Sequence, residues 1–554
     1  MNKMKHLKPV AAAVAAMLLA GMSHAGETIQ FDNGVNLDWR LTTNYTLSQR
    51  LKNPDSVIST SSGVNDGDNN FAKNSLTNNR VSVLFEGKVS KGDSGFVLSG
   101  STFYDDVYHR KTDNTGQVNK PGPASEFSDG AVKYHGGYSR ILDAYAYTSF
   151  GVGESSRATI RAGRHAVNWG EAVYFPNISM AQGPFDGTKT GVPGTEVKDS
   201  ILPEDQISGS IELTPRWSLL GQAQFNFHPT IAAAPGSYLS SSDGVGPGGS
   251  CLGPYVNIPS VFNGCSALKR GSDIEPGKTG QWGIGTRYRL TDETEIGAYY
   301  LNYQDRTPVP EINVFAPSAA VTLPTTPPTK LGYGSYQVRY FDDIKLVGGT
   351  VSTSFGPVSA YGELTYKEGA PVLVDAVVNP AGGQTIATPT RANISQLNLG
   401  GFYNIGRTPI ADSIQLLGEV SAVQISGVQA RQAIGSEGYP AAYGFAASKK
   451  LSFQTDSGLA VSGTLVLGYP GIFEGWDLTI PISYSQQLKG RTLVGGVGGE
   501  GDKRYSVGAT FVRRGNMSFG VSYNGYLGSA SLDSKENRLL TDRDYLSATM
   551  KYSF

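Results

Sequence analysis

LDWRLTTNYTL, residues 37–47, decides the fold. Leu37, Trp39, Leu41, Thr43, Tyr45 and Leu47 alternate with Asp38, Arg40, Thr42, Asn44 and Thr46. A period of two marks a strand with one apolar and one polar face, and this one is long enough to cross a bilayer at a tilt. The C-terminal segment repeats the pattern, with Leu546, Ala548, Met550, Tyr552 and Phe554 on one side and Tyr545, Ser547, Thr549, Lys551 and Ser553 on the other. In a soluble sandwich the apolar face would be a core. Here nearly every segment has this form and no helix pattern covers the sheet, so the apolar face is expected to meet lipid. The fold class that follows is all-β, a transmembrane antiparallel barrel of the outer-membrane type.

Connections alternate in length. Tight turns are expected at Ser90–Ser94, Gly151–Ser156, Thr214–Arg216, Thr291–Glu293, Gly356–Pro357, Arg407–Asp412, Pro470–Gly475 and Arg513–Asn516. Long polar segments separate them at Ser48–Thr77, Tyr104–Gly137, His165–Glu204, His228–Lys278, Asp305–Tyr333, Gly369–Asn393, Gln424–Ser457, Gln487–Asp502 and Gly528–Asp542. Short periplasmic turns and long external loops give about 18 strands, the first pairing with the last. Pro481 falls inside the strand Trp476–Gln486, where a ladder donor is needed, so a bulge or lumen-facing kink is expected there.

Composition agrees. In 554 residues, 39% hydrophobic, 17% charged and 70 glycines suit neither a membrane helix bundle nor a disordered tail, and 46 basic against 47 acidic residues leave no surplus for nucleic acid. Lys3, Lys5 and Lys8 precede the apolar run Val10–Ala20, with Ser23 and Ala25 beyond it: a secretory signal peptide over residues 1–25, cut near Ala25, with the barrel occupying 26–554. The first strand begins so close to Gly26 that no plug domain of the active-transporter kind is expected. Cys251 and Cys265 stand close together in a Gly/Pro-rich segment of an exported chain, so a disulfide closing one loop is expected.

The stretch least like the rest is Arg161–Pro203, RAGRHAVNWGEAVYFPNISMAQGPFDGTKTGVPGTEVKDSILP. It leaves the wall after Arg164 and is far longer than a turn requires. Trp169, Tyr174, Phe175, Pro176, Ile178, Met180 and Phe185 make it too apolar for a solvated loop, so it is expected to fold inward over about 165–204 and narrow the lumen. Candidate lumen and constriction residues are Arg157, Arg161, Arg164, His165, Trp169, Glu171, Asp186, Lys189, Arg287 and Arg339. Strand parity also turns Asp38, Arg40, Arg289, Gln337, Glu212, Glu363 and Glu419 inward. Internal ion pairing accounts for such residues in any large barrel, whereas a cluster at one constriction would select what passes.

Other chemistry is thinner. Of the four histidines outside the leader, His109, His135, His165 and His228, His165 is the best placed for acid–base work beside Glu171, though no nucleophile motif accompanies it. Asp66, Asp68 and Asn70 in VNDGDNNF space oxygens as a calcium loop does, but the closing bidentate acid is missing and an Asx-rich turn is the plainer reading. GGVGGEGDK, Gly495–Lys503, precedes a strand rather than a helix, so it is read as a flexible external loop and not a phosphate site. No cofactor is expected.

Taken together, GETIQFDNGVNLDWRLTTNYTLSQRL, DGDNNF, FYDDVYHR, RILDAYAYTSF, GRHAVNWGE, GPFDGTKTGVPGTEVKD and RDYLSATMKYSF resemble the proteobacterial outer-membrane family catalogued as domain of unknown function thirteen-oh-two. The resemblance covers nearly the whole mature chain. It implies an exported barrel that handles hydrophobic compounds such as lipids, esters or sterols, and it supplies no catalytic residues. The expected function is a non-enzymatic, substrate-selective outer-membrane channel for a small hydrophobic or amphipathic molecule. A porin for small hydrophilic anions and a hydrolase using His165 are the rivals. Expected partners are outer-membrane lipid, the small-molecule substrate and the barrel-assembly machinery, the last through the strand ending at Phe554.

Overall fold

In the computed structural model, the residues described are 28–153, 156–315, 321–323, 329–332, 334–492, 498–513 and 515–554. The leader expected over 1–25, residues 495–497 of the glycine-rich loop and parts of two tight turns lie outside them.

Eighteen strands close into one antiparallel barrel. They are β1 Asn36–Arg50, β2 Leu76–Lys91, β3 Ser94–Asp105, β4 Gly137–Val152, β5 Ser156–His165, β6 Glu204–Thr214, β7 Trp217–Gln224, β8 Gln281–Arg289 and β9 Thr294–Tyr303. The second half comprises β10 Ile344–Phe355, β11 Val358–Asn379, β12 Gln384–Gly406, β13 Ser413–Ser426, β14 Ser457–Phe473, β15 Trp476–Lys489, β16 Lys503–Arg513, β17 Met517–Leu527 and β18 Tyr545–Ser553. Each pairs with its neighbour in sequence, and β1 pairs with β18 from Thr42↔Ser553 to Arg50↔Tyr545, so no edge is left open. A two-residue ribbon, Ile29–Gln30, adds to the start of β1.

The barrel is apolar outside and polar inside. On β12, Gln396 and Asn398 are fully buried while Leu397 and Leu399 are 38% and 55% exposed. On β11 the buried pair is Glu363 and Thr365 and the exposed pair Leu364 and Tyr366. A water-soluble protein inverts this arrangement; the apolar faces need lipid.

All eight expected tight turns join strands at one end of the barrel. One expected loop is not a loop: residues 369–393 continue β11 and β12 as a hairpin that turns only at 380–383. Val372, Val374 and Ala376 have the alternation of a strand, and Pro371 and Pro389, whose missing N–H suggested a loop, are accommodated in the ladder. β14 likewise runs past Pro470 to Phe473 through a register shift. Pro481 makes no bulge. Ile480 and Pro481 pair with β14 in unbroken register, whereas on the β16 side the ladder skips both residues and resumes at Ile482↔Val507.

At the long-loop end the connections pack into a cap. Phe71, Tyr108, Tyr238 and Tyr545 form its apolar centre. Beside them Arg50 and Arg543, both fully buried, share Asp68 and Asp542 at 2.7–3.3 Å. A small sheet in the cap joins Val309–Asn313, Gly334–Arg339, Leu268–Arg270 and Cys251–Leu252. The expected disulfide is present, with Cys251 and Cys265 bonded across a Cα separation of 5.4 Å.

Candidate functional site

The connection from β5 to β6, residues 166–203, crosses the lumen. It leaves the wall at His165 and travels first along β8 and β9. There Trp169, 6% exposed, stacks on Tyr299 with ring centroids 5.8 Å apart. Arg287 on β8 donates to the Trp169 carbonyl at 3.1 Å and to the Tyr299 hydroxyl at 3.0 Å. The next turn of chain has no regular structure, so its N–H groups need partners that the loop itself cannot supply.

Two wall carboxylates meet that need. Glu363 on β11 accepts from the N–H groups of Glu171 (2.7 Å), Ala172 (3.2 Å) and Ile178 (2.7 Å). Glu419 on β13 accepts from Val173 (2.8 Å), Tyr174 (2.8 Å) and Phe175 (3.3 Å), and also from the Tyr361 hydroxyl and the Asn398 amide. Charge-assisted bonds of this kind are roughly twice as strong as neutral ones. The Tyr174 hydroxyl reaches Thr464 on β14 at 2.6 Å. In a closed ring of eighteen strands, β14 stands diametrically opposite β5.

The chain then turns through a short helix, Ile178–Gln182, whose Ile178 joins Leu301, Ile344 and Leu346 in the apolar cluster. It returns across the barrel to the first strands. Asp186, fully buried, pairs with Arg140 on β4. Lys189 lies 3.7 Å over the Phe103 ring and 3.5 Å from Asp199. Tyr545 and Thr46 donate to the Gly191 and Pro193 carbonyls, Lys551 pairs with Glu196, and Lys198 bridges Glu86 and Asp143. Gly191 and Gly194, at φ +71° and +75°, make the bends this path requires.

Hydrogen bonds and ion pairs thus tie the loop to most of the wall. None of the contacts just described reaches β15, β16 or β17. The inward parity of that arc follows from Thr464, which faces the loop: the register carries it to Ser483, then Ser506, Asn524 and Tyr545. Thr510, Gly508, Gly520, Ser485 and Ser522 share that face, and Ser462 with Ser485 and Ser522 with Ser547 link strands through their hydroxyls at 2.6 and 2.7 Å. Above the arc, at the long-loop end, a cavity of about 260 Å³ opens between the loop's Thr188–Val192 and Arg504, Tyr526 and Tyr545. His135 lines it, and burial, with Arg80 and Lys189 nearby, pushes its imidazole down to about 3, so it stays neutral.

Of the sequence candidates, Trp169, Asp186, Lys189 and Arg287 meet in or on the inward loop, with Glu171 half-buried beside Arg287. Arg161 faces the lumen with its guanidinium 6.0 Å from the Tyr145 ring. His165 is buried, its Nδ1 on the Gly163 carbonyl and its Nε2 2.6 Å from the Ser208 hydroxyl. Three placements differ from expectation. Arg164 has the opposite parity from Arg161 and faces outward with Ile160 and Ile207, held by Asp205 at 2.9 Å near His228. Arg157 keeps the inward parity of Arg161 but lies at the short-turn end, half exposed and paired with Asp93, rather than at the loop. Arg339, with Gln337, belongs to the cap sheet rather than to a wall strand, and pairs with Glu311. Of the proposed calcium loop, Asp68 is taken up by Arg50 and Arg543.

The chain matches, over residues 7–554, the family model described as a protein of unknown function, DUF1302. It belongs to that family. No curated protein matches it. Solved structures similar to this DUF1302 chain include OccAB1 of Acinetobacter baumannii, at 11% identity, TM-score 0.45, covering 96% of this chain and 99% of that one. OccD3 (OpdP) of Pseudomonas aeruginosa is similar at 10% identity and TM-score 0.39, with 98% and 97% covered. The outer membrane channel DcaP of A. baumannii stands at 10% and 0.37, with 96% and 100% covered.

Proposed function

We propose that the protein is an outer-membrane channel through which a small polar solute diffuses passively, along the crescent between the inward loop and β15–β17. The observation that carries this is the arc of Ser483, Ser485, Ser506, Thr510, Ser522 and Asn524, half-buried and reached by none of the loop contacts described above. Hydroxyls and a side-chain amide exchange hydrogen bonds with water and with a solute's own polar groups at little cost, and their neutrality favours neither sign of ion. The apolar cargo implied by the family resemblance would need an apolar track. Within the loop Trp169, Phe175 and Ile178 are instead buried, Trp169 and Ile178 in the cluster with Tyr299, Leu301, Ile344 and Leu346, while Val173, Met180, Phe185, Val197 and Ile201 stay exposed.

Single-channel recording in planar bilayers and liposome swelling test this reading. Ser485→Trp and Ser506→Trp should lower conductance and slow uptake of small neutral polyols. Deleting Val173–Gly194 should raise conductance. Unchanged conductance in both tryptophan variants would place the path elsewhere, and uptake of lipidic but not polar solutes would restore the hydrophobic cargo. The Ser208–His165 hydrogen bond supports a second reading, a hydrolase with Ser208 as nucleophile and His165 as base. Chromogenic esters on the purified protein, with Ser208→Ala as control, decide it.

A further inference from the structure

The cap holds a second polar cluster, away from the lumen. Asp66 and Asn70 come from the β1–β2 loop, Asn119 from the β3–β4 loop and Asp243 from the β7–β8 loop. They meet around a cavity of about 10 Å³, which also touches Gly236 and Lys120. That is space for a single water-sized particle.

The contacts around this space are incomplete in one direction. Asn119 donates its N–H to Asp66 Oδ2 at 3.1 Å and its side-chain amide to Asp243 Oδ2 at 2.8 Å. The Asp66 N–H also goes to Asp243 Oδ2, at 3.2 Å. Asn70 donates its amide to the Gly236 carbonyl at 2.8 Å, which leaves its oxygen for other use. Asp243 Oδ1 and Asn70 Oδ1 then have no hydrogen-bond partner, although the two residues are only 1% and 4% exposed. Lys120 does not supply one, because its ammonium goes to the Pro121 and Pro123 carbonyls.

Buried acceptors are left unpaired in this way only at a cost. Two carboxylates enclosed together also repel unless something positive lies between them. The lining offers carboxylate, amide and main-chain oxygens and no thiol or imidazole, which selects a hard cation over a transition metal. We infer that Asp66, Asn70 and Asp243 bind one divalent cation of the calcium class, completed by main-chain carbonyls of the same loops. The ion fastens the β1–β2 loop to the β7–β8 loop, which carries the disulfide. The donor set keeps Asp66 and Asn70 from the VNDGDNNF spacing, but replaces Asp68 with a residue some 170 positions later that the spacing could not show.

Calorimetric titration of the full chain, purified in detergent and stripped with a chelator, tests this with calcium chloride and magnesium chloride in separate runs. The expected result is one saturable calcium site per chain, bound at least tenfold more weakly in Asp243→Asn and in Asp66→Asn. Heat-modifiable gel migration reports that each variant barrel is folded. Calcium should also slow proteolysis of loops 51–75 and 225–280 in the parent and not in the variants. The inference is overturned by the absence of saturable binding, by binding undiminished in both variants, or by protection that acid supplies and calcium does not. The last result would mean that the two carboxylates share a proton instead.

Discussion

Glu419→Gln should loosen the inward loop more than Glu363→Gln, and the reason lies in how each carboxylate is used. Glu419 Oε2 accepts from Val173, Tyr174 and the Tyr361 hydroxyl, while Oε1 accepts from Phe175 and Asn398. A glutamine amide must put its NH₂ in one of these positions, and either orientation sets it against at least two donors. Each orphaned buried donor costs about 1–3 kcal/mol, so the substitution should destabilise loop docking by about 2–6 kcal/mol. Glu363 Oε1 accepts from Ile178 alone, with Glu171 and Ala172 on Oε2. Its amide can therefore turn its NH₂ toward Ile178 and orphan a single N–H, at about 1–3 kcal/mol. Single-channel recordings should show Glu419→Gln visiting a higher-conductance level for a substantial share of the time, and Glu363→Gln doing so less. The double variant should exceed both, because the two anchors hold one short segment and couple through it. Parental conductance in Glu419→Gln with a folded barrel, or a larger effect in Glu363→Gln, would refute the anchoring.

Three other outcomes are expected. Replacing both Cys251 and Cys265 by serine should cost about 3 kcal/mol of local constraint, seen as faster proteolysis within 225–280 with conductance unchanged. Trp169→Ala should destabilise the docked loop by about 3–5 kcal/mol, read as raised current noise, since it removes a buried ring stacked on Tyr299. Burial first, and then Asp66, push the Asp243 carboxyl up to about 8, while burial pushes Asp66 up to about 6 against Asn119 and Lys120. Raised acids bind more protons folded than unfolded, so without divalent cation the cap should weaken as pH rises from about 4 to 8, and added calcium should cancel the trend. Protease sensitivity across that range checks it.

The wall was legible because lipid imposes a strict rule on every residue of a strand. The alternation in 37–47 and 546–554 required no knowledge of any partner, and glycine-marked turns at 356 and 475 needed only local geometry. Parity placed Glu363 and Glu419 inward but could not tell that they serve main-chain donors, because those donors lie 185–246 residues away. Arg164 was misplaced for a local reason: three arginines in one short strand invite a common face, while the register gives Arg161 and Arg164 opposite ones. Arg339 was misplaced because a cap strand and a wall strand share the same period. The hydroxyl arc was present in the sequence as ordinary alternating serines, and it becomes a feature only beside the inward loop, whose described anchors lie on other strands.

The long reach of the anchoring bonds bears on the order in which the protein assembles. Residues 166–203 follow β5, and the groups that hold them stand on β11, β13 and β14, six to nine strands further along the chain. Contacts of such sequence separation form late, after the chain between has been organised. Docking of the segment is therefore expected to be a late intramolecular step that narrows the lumen, and until it is complete the segment has only water to satisfy its N–H groups.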